Sequence, residues 1–191
     1  IKQACQRCKN PLKSSNMRAI CGQCLKKPPL YDELVVPFYY DDLMASLICQ
    51  LKFGKKLAIS RVLAELFIDS LSHTPSGGLI IPVPLHLKRQ RKRGFNQSLE
   101  IARFLSQALK LPIDPNACKR TRYTLAQAEL PAKARHANVN KAFWASPELC
   151  NQSVIIVDDV LTTGSTINAI CKTLRTCGVK HITVWAMAKT K

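Results

Sequence analysis

Val154-Ile155-Ile156-Val157-Asp158-Asp159-Val160-Leu161-Thr162-Thr163-Gly164-Ser165-Thr166 is the stretch on which the reading of this chain turns. Four consecutive β-prone apolar residues predict a strand buried on both faces, as in a parallel sheet. Two carboxylates follow at its end, the edge where open α/β sheets bind ligands. A turn of hydroxyls and glycine then enters a helix predicted from Gly164 to about Cys177, with Gly178 suited to the position just past its end. Helix N-termini leave backbone N–H groups unpaired and favour anions. Gly164 lets the backbone approach a ligand closely, and Thr162, Thr163, Ser165 and Thr166 add hydroxyl donors. Carboxylates only accept hydrogen bonds, so they suit sugar hydroxyls or a hydrated metal and repel phosphate. Acids first and a phosphate cradle next read as a ribose 5-phosphate site. Asp158 and Asp159 then face the diol, and residues 162–166 surround the ester. An incidental capped turn has no need of four hydroxyls within five residues. The patterns G-x-x-x-x-G-K-[ST] and G-x-G-x-x-G do not occur, which excludes a P-loop and a dinucleotide fingerprint.

Other segments supply the rest of a sheet. Leu79-Ile80-Ile81 predicts a second buried strand, ended by Pro82-Val83-Pro84 because proline has no N–H for a ladder. His181–Met187 predicts a third. A helix is predicted from Asp41, whose negative charge with that of Asp42 suits an N-terminus, with Leu43, Met44, Leu47, Ile48 and Leu51 as its apolar stripe and Gly54 as its break. A second runs from about Leu57 to Leu71, with Val62, Leu66 and Phe67 inward. Residues 73–78 read as a loop. A third helix covers Gln97 to Leu109 with Leu99, Ala102, Phe104 and Leu105 apolar. Residues 111–152 show no clear period. Strands alternating with helices predict an α/β fold with a parallel sheet.

Residues 1–30 are polar, basic and too short to build a core; Pro28-Pro29 closes them. Cys5-x-x-Cys8 and Cys21-x-x-Cys24 have the spacing of a closed four-thiolate site, which suits structural Zn²⁺. Metal binding then supplies the folding energy, about 10–16 kcal/mol at neutral pH. The expected organisation is a ribbon over 1–30 and a ligand-binding domain over 31–191. Arg7, Lys9, Lys13 and Arg18 leave open whether the ribbon also touches nucleic acid. The chain has nine cysteines, an odd number with five scattered, which argues against a disulfide framework and for a reducing compartment. No run approaches the roughly 18–20 apolar residues that span a bilayer, and the first residues lack the apolar core of a signal peptide. A cytoplasmic location is expected.

Basic residues outnumber acidic ones 29 to 12, a net charge of +17. They cluster at Lys88–Arg93, read as a basic loop that follows Pro82-Val83-Pro84, and at Lys119–Arg122, which points to a polyanionic partner. Arg89 and Arg93 can fork onto phosphates, Asn96 or Gln97 can cap a helix or read a ligand, and Phe95 or Tyr123 beside arginines can stack on bases.

The stretch 154–166 closely resembles the phosphoribosyl pyrophosphate (PRPP) signature of type I phosphoribosyltransferases. That resemblance implies a Rossmann-like core and makes Asp158 and Asp159 the catalytic pair. Val160, Leu161, Thr162, Thr163, Gly164, Ser165 and Thr166 complete the PRPP loop, and Mg²⁺ is carried on the ligand. It also implies a pyrophosphate loop after an early strand, for which Val83, Pro84, Leu85 and His86 are the candidates. The whole chain further resembles the competence protein F (ComF) family, with its GntX-like members. The match rests on the four-cysteine ribbon, LKFGKKLA (51–58), IPVPLH (81–86), RKRGFNQS (91–98), Thr124-x-x-Gln127, Arg135-x-x-Asn138-Val139, Ala142-Phe143 and Gly178. This implies a role in natural transformation on the cytoplasmic side of DNA uptake, beside helicase or channel components and incoming single-stranded DNA. Two other functions compete: an Mg²⁺-dependent transferase of nucleotide metabolism, and a non-catalytic zinc-ribbon scaffold binding nucleic acid. The acceptor of any transfer stays open.

Overall fold

The computed structural model describes residues 4–12, 19–73, 75, 77–121 and 142–190. Its centre is a parallel sheet. β1 (Glu33–Val35), β2 (Phe38–Tyr39), β3 (Leu79–Pro82), β6 (Ser153–Leu161) and β7 (His181–Lys189) run in the order β1-β7-β6-β3, with β2 also on β7. The central strands β6 and β7 are apolar nearly throughout because both their faces are covered.

The two faces can be read from alternate residues. Ile155 and Val157 of β6 and Trp185 and Met187 of β7 meet α2 (Asp42–Lys52), α3 (Ala58–Asp69) and α5 (Gln97–Leu109). Phe67 and Trp185 touch there, with ring centres 5.3 Å apart. Val154, Ile156, Ile182 and Val184 face the other way, onto α6 (Ser165–Thr176) and a two-stranded antiparallel ribbon of β4 (Cys118–Arg120) and β5 (Phe143–Ala145). The result is a helix–sheet–helix layering with the predicted strands in parallel register.

Several expectations need correction. Asp41 does cap α2, accepting from the Met44 N–H at 3.1 Å, but the buried stripe is Met44, Ile48 and Leu51, while Leu43 is 70% exposed. In α3 the buried positions are Leu63, Ala64 and Phe67, and Val62 and Leu66 point outward. Both helices carry more apolar residues than one face needs, so four-residue repeats fit two stripes. The inward face of α5 is Ile101, Ala102 and Leu105, with Leu99 and Phe104 only half-buried. The basic run after β3 is not a loop but α4 (Leu87–Arg93), ended by Gly94 in the left-handed region at φ 90°. Pro82 does not stop the pairing, because the N–H of Val83 still reaches the Val157 carbonyl at 2.9 Å. β6 outruns its predicted end by four residues, from Val157 to Leu161. Strands β1, β2, β4 and β5 carried too short a pattern to be seen. Among the described residues no helix is long and apolar enough to cross a membrane.

Candidate functional site

The carboxylates lie on β6 itself. Alternation along the strand sends the two side chains to different environments. Asp159 is 3% exposed and Asp158 is half-buried. Lys52, from the last turn of α2, forms an ion pair with Asp159 Oδ2. Burial alone pushes Asp159 up, and the Lys52 ammonium with its hydrogen bond outweighs that, so the carboxyl titrates below the usual range. Lys52 is shifted the opposite way by the same contact: desolvation lowers it, and Asp159 raises it further. Asp158 forms no such ion pair among the described residues, and the Lys52 charge only partly offsets its burial. Its Oδ1 accepts from the Ser98 hydroxyl at 3.0 Å and from the Asp159 N–H at 2.9 Å. Lost hydration and the neighbouring Asp159 charge drive it well above the ordinary carboxylate range. The two acids are therefore unequal: one neutralised inside the fold, the other reaching solvent.

The turn after β6 begins later than the sequence implied. Val160 and Leu161 still belong to the strand, in register with Ala188 and Lys189 of β7. The chain leaves the sheet at Thr162 and Thr163, both exposed. Gly164 caps α6 at φ 72°, a conformation costly for a residue with a Cβ. The Ser165 side chain is buried, with its hydroxyl 2.8 Å from Thr163 Oγ1. The Ser165 N–H also points at Thr163 Oγ1, at 3.4 Å. Thr166 lies half-buried in the first turn of α6.

Residues 83–98 wrap the second side. Asn96 caps α5 through the Ser98 N–H (3.1 Å) and ties back to the Val83 carbonyl (3.0 Å). This places Ser98 on Asp158. The N–H and C=O of Val83 are both engaged, and Val83 and Pro84 are buried. Of the four candidates for a pyrophosphate loop, Leu85 and His86 are the ones that reach the surface. His86 caps α4, its Nδ1 accepting from the Lys88 N–H at 3.1 Å. Desolvation, then the charges of Arg120, Lys88 and Arg89, lower its pKa. Arg93 hydrogen-bonds Gln97, and Gln97 in turn bonds Asp159. Arg89 lies on the same helix, near enough to Arg120 for its charge to disfavour that of Arg120. Burial chiefly, then Arg89, brings Arg120 down to about 10, opposed by Asp158. Phe95 packs against the core instead of standing free. Arg122, Tyr123, Thr124, Gln127, Arg135, Asn138 and Val139 fall outside the described residues, as do Lys13 and Arg18.

Sequence reasoning missed Lys52, Ser98 and Arg120 as members of this cluster. Lys52 lies in a basic tract that looks like a solvated helix end. Its available signal was position: it directly follows buried Leu51, at the end of a helix that packs on the sheet.

The four N-terminal cysteines converge. The Sγ atoms of Cys5, Cys8, Cys21 and Cys24 all lie within 4.8 Å of one another. Cys8 and Cys21 sulfurs are 3.6 Å apart, close to the roughly 3.8 Å edge of a tetrahedron with Zn–S bonds of about 2.3 Å. Cys21 also caps a short helix, α1 (Gly22–Lys26), and the Cys21 N–H points at Cys5 Sγ at 3.3 Å. This donor set fits one metal ion held entirely by sulfur.

A family model described as the phosphoribosyl transferase domain matches residues 95–190, the stretch that carries α5, β6, the hydroxyl turn, α6 and β7. Over 178 residues, 88% of this chain and 78% of the relative, the sequence is 39% identical to Competence protein F of Haemophilus influenzae (strain ATCC 51907 / DSM 11121 / KW20 / Rd). The chain belongs to the competence protein F family, with a phosphoribosyl transferase domain. It is also 36% identical over 195 residues to DNA utilization protein YhgH of Escherichia coli (strain K12), covering 99% of this chain and 85% of the relative. Among solved structures it is similar to one titled as the allosteric regulatory enzyme of purine biosynthesis. There it is 19% identical with a TM-score of 0.42, over 91% of this chain and 32% of that one. At so low a score the superposition is loose, and the family rests on the sequence matches and the domain model. The competence protein F family resemblance read from the motifs is thus shown, and so is the fold: a parallel α/β sheet with a four-cysteine cluster ahead of it.

Proposed function

We propose that this chain binds PRPP at the end of β6 and acts in DNA uptake, gripping single-stranded DNA with its basic surface on the cytoplasmic side. The observation that carries the ribose-phosphate part is the unequal acid pair beside the hydroxyl turn. Asp158 reaches solvent, with Ser98 fixing its carboxylate, while Asp159 is committed to Lys52. In this reading Asp158 accepts from the ribose diol. Asp159 holds Lys52 and the Arg93–Gln97 pair in place behind it. The exposed Thr162 and Thr163 and the first turn of α6 take the 5-phosphate.

The pyrophosphate side is assigned to Leu85 and His86 with Arg89 and Arg93 of α4, whose positive charges suit it. Oxygen donors at Asp158 fit Mg²⁺, which accompanies the ligand; when bound it neutralises charge on a leaving pyrophosphate. Any transfer is displacement at the anomeric carbon, with positioning and electrostatics as the chain's contribution. The four-cysteine cluster is assigned to Zn²⁺ in a ribbon spanning residues 1–30, ahead of a ligand-binding domain over 31–191.

The DNA-uptake role rests on the relatives named Competence protein F and DNA utilization protein. A net charge of +17 supports a polyanionic partner, held by phosphate neutralisation that weakens steeply with salt. Incubation with PRPP, Mg²⁺ and candidate acceptors, single-stranded DNA among them, followed by a pyrophosphate-release assay, tests the proposal. Saturable PRPP binding without release marks a ligand-sensing protein, and release with one acceptor marks a transferase. Failure to bind PRPP at all would remove the ribose-phosphate assignment.

A further inference from the structure

Phe53 is 73% exposed, the largest fractional exposure among the large apolar side chains of the described residues. Its surroundings are charged. Lys52 precedes it, Lys55 and Lys56 follow, and the Arg93 guanidinium lies 5.8 Å from its ring centre. The guanidinium lies over the ring and the rest of the side chain stays in water.

The backbone beneath the ring is fixed. Phe53 is the C-cap of α2, and its N–H reaches the Cys49 carbonyl at 2.8 Å. The chain then turns back so tightly that a Cβ on Gly54 would lie 2.7 Å from the Gln50 carbonyl oxygen. Lys56 closes the turn with its N–H to the same carbonyl at 3.3 Å and its ammonium to Gln50 Oε1 at 3.0 Å. The ring therefore stands on a rigid base.

It also stands beside the acid pair by two routes. Its chain neighbour Lys52 is the ion-pair partner of Asp159. The cation at its ring, Arg93, bonds Gln97, which bonds Asp159. A flat apolar surface flanked by a guanidinium is the chemistry that stacks a planar heterocycle.

We propose that Phe53, with Arg93 beside it, is a nucleobase-stacking subsite at the rim of the β6 acid pair. It rests on the reading of that pair as a ribose-phosphate site and adds what that reading lacks, a place for the base. The base belongs either to a free nucleotide or to a nucleic-acid strand, and the chemistry of stacking is common to both. Phe53 belongs to neither apolar cluster of the described residues, so its replacement is expected to leave the fold intact.

Phe53→Ala and Phe53→Trp are compared with the wild-type chain by equilibrium titration at one fixed salt concentration. The ligands are PRPP with Mg²⁺, AMP, a dodecamer of dT, and an abasic dodecamer with the same phosphates. PRPP carries no base and reports on the β6 turn alone; its affinity is expected to be the same in all three proteins. The wild-type chain should prefer base-bearing ligand over its abasic counterpart, and Phe53→Ala should lose roughly tenfold on base-bearing ligand only. Phe53→Trp should keep that affinity and show quenched indole fluorescence on binding. A loss on AMP assigns the subsite to a free nucleotide, and a loss confined to dT assigns it to a strand; either supports the proposal. Equal affinity of Phe53→Ala and wild type for both AMP and dT overturns it. Absence of PRPP binding in the wild-type chain overturns the ribose-phosphate reading instead, a result the base-bearing ligands do not affect.

Discussion

The four-cysteine segment and the β6–α6 turn both gather polar side chains into a small volume, and they do so by opposite means. The turn is delivered by a strand paired on both sides, β3 and β7, with apolar residues packed on either face. Its geometry exists before any ligand arrives. The cysteine segment has little behind it: from its described residues, the core includes only Cys5 and Cys24. Sulfur ligands are its interior. Polar groups can be held in place by the fold, as at the turn, or, on the proposed reading of the cysteines, by a metal that makes the fold.

Metal removal should separate the two most sharply. Chelation, or Cys5→Ser with Cys8→Ser, is expected to cost the ribbon its order, with a loss on the scale of the roughly 10–16 kcal/mol that structural zinc contributes. Hydrogen exchange should then become fast at residues 4–12 and 19–27 and stay slow in β6 and β7. Fast exchange in β6 on metal loss would erase the distinction. Metal analysis of the native protein should return one zinc ion per chain.

Within the sheet, Lys52→Met should be the next largest effect. It leaves the Asp159 charge buried without its partner, at a cost of about 3–5 kcal/mol in urea unfolding. Combining it with Asp159→Asn should recover most of that. A double variant as unstable as the sum of the singles would show that the two side chains act independently.

Asp158→Asn should work in the other direction. The folded pKa of Asp158 is raised, so charging it opposes folding. That cost is absent below the unfolded value of about 3.9, grows as pH rises toward the folded value, and stays constant above it. The variant should melt a few degrees higher than wild type above neutral pH and show no gain near pH 4, while losing ribose-phosphate affinity. Asp159 has the opposite sign: its lowered pKa stabilises the fold above about pH 4, and that stability is lost as pH falls through the folded value. A smaller effect is expected of Gly164→Ala. The nearest atom to an added Cβ is Asn168 Nδ2 at 3.7 Å, an ordinary contact. The backbone at φ 72° then sets the cost, about 1–2 kcal/mol.

Much of this was legible in the sequence where local rules and the tertiary environment agree. The apolar run 154–157, the cap at Asp41, the end at Gly178 and the paired cysteine spacing each mean one thing physically. Leu43, Val62 and Leu66 misled because α2 and α3 are apolar on more than one face, and packing chose between stripes. The run at 88–93 looked like a loop because charge hides helix propensity; lysine, arginine and glutamine are good helix formers. β4 and β5 were invisible at three residues each. Asp158 and Asp159 were found as a pair, but their inequality depends on Lys52 and Ser98, which reach them from other elements. Contacts between distant segments leave no local pattern.

Titration calorimetry with PRPP and Mg²⁺ on the wild-type chain and on Asp158→Asn with Asp159→Asn addresses the ribose-phosphate assignment most directly. Saturable heat in the first, none in the second, and equal zinc content in both are expected. The same affinity in both proteins would place the ligand elsewhere and contradict the assignment of β6 and its turn.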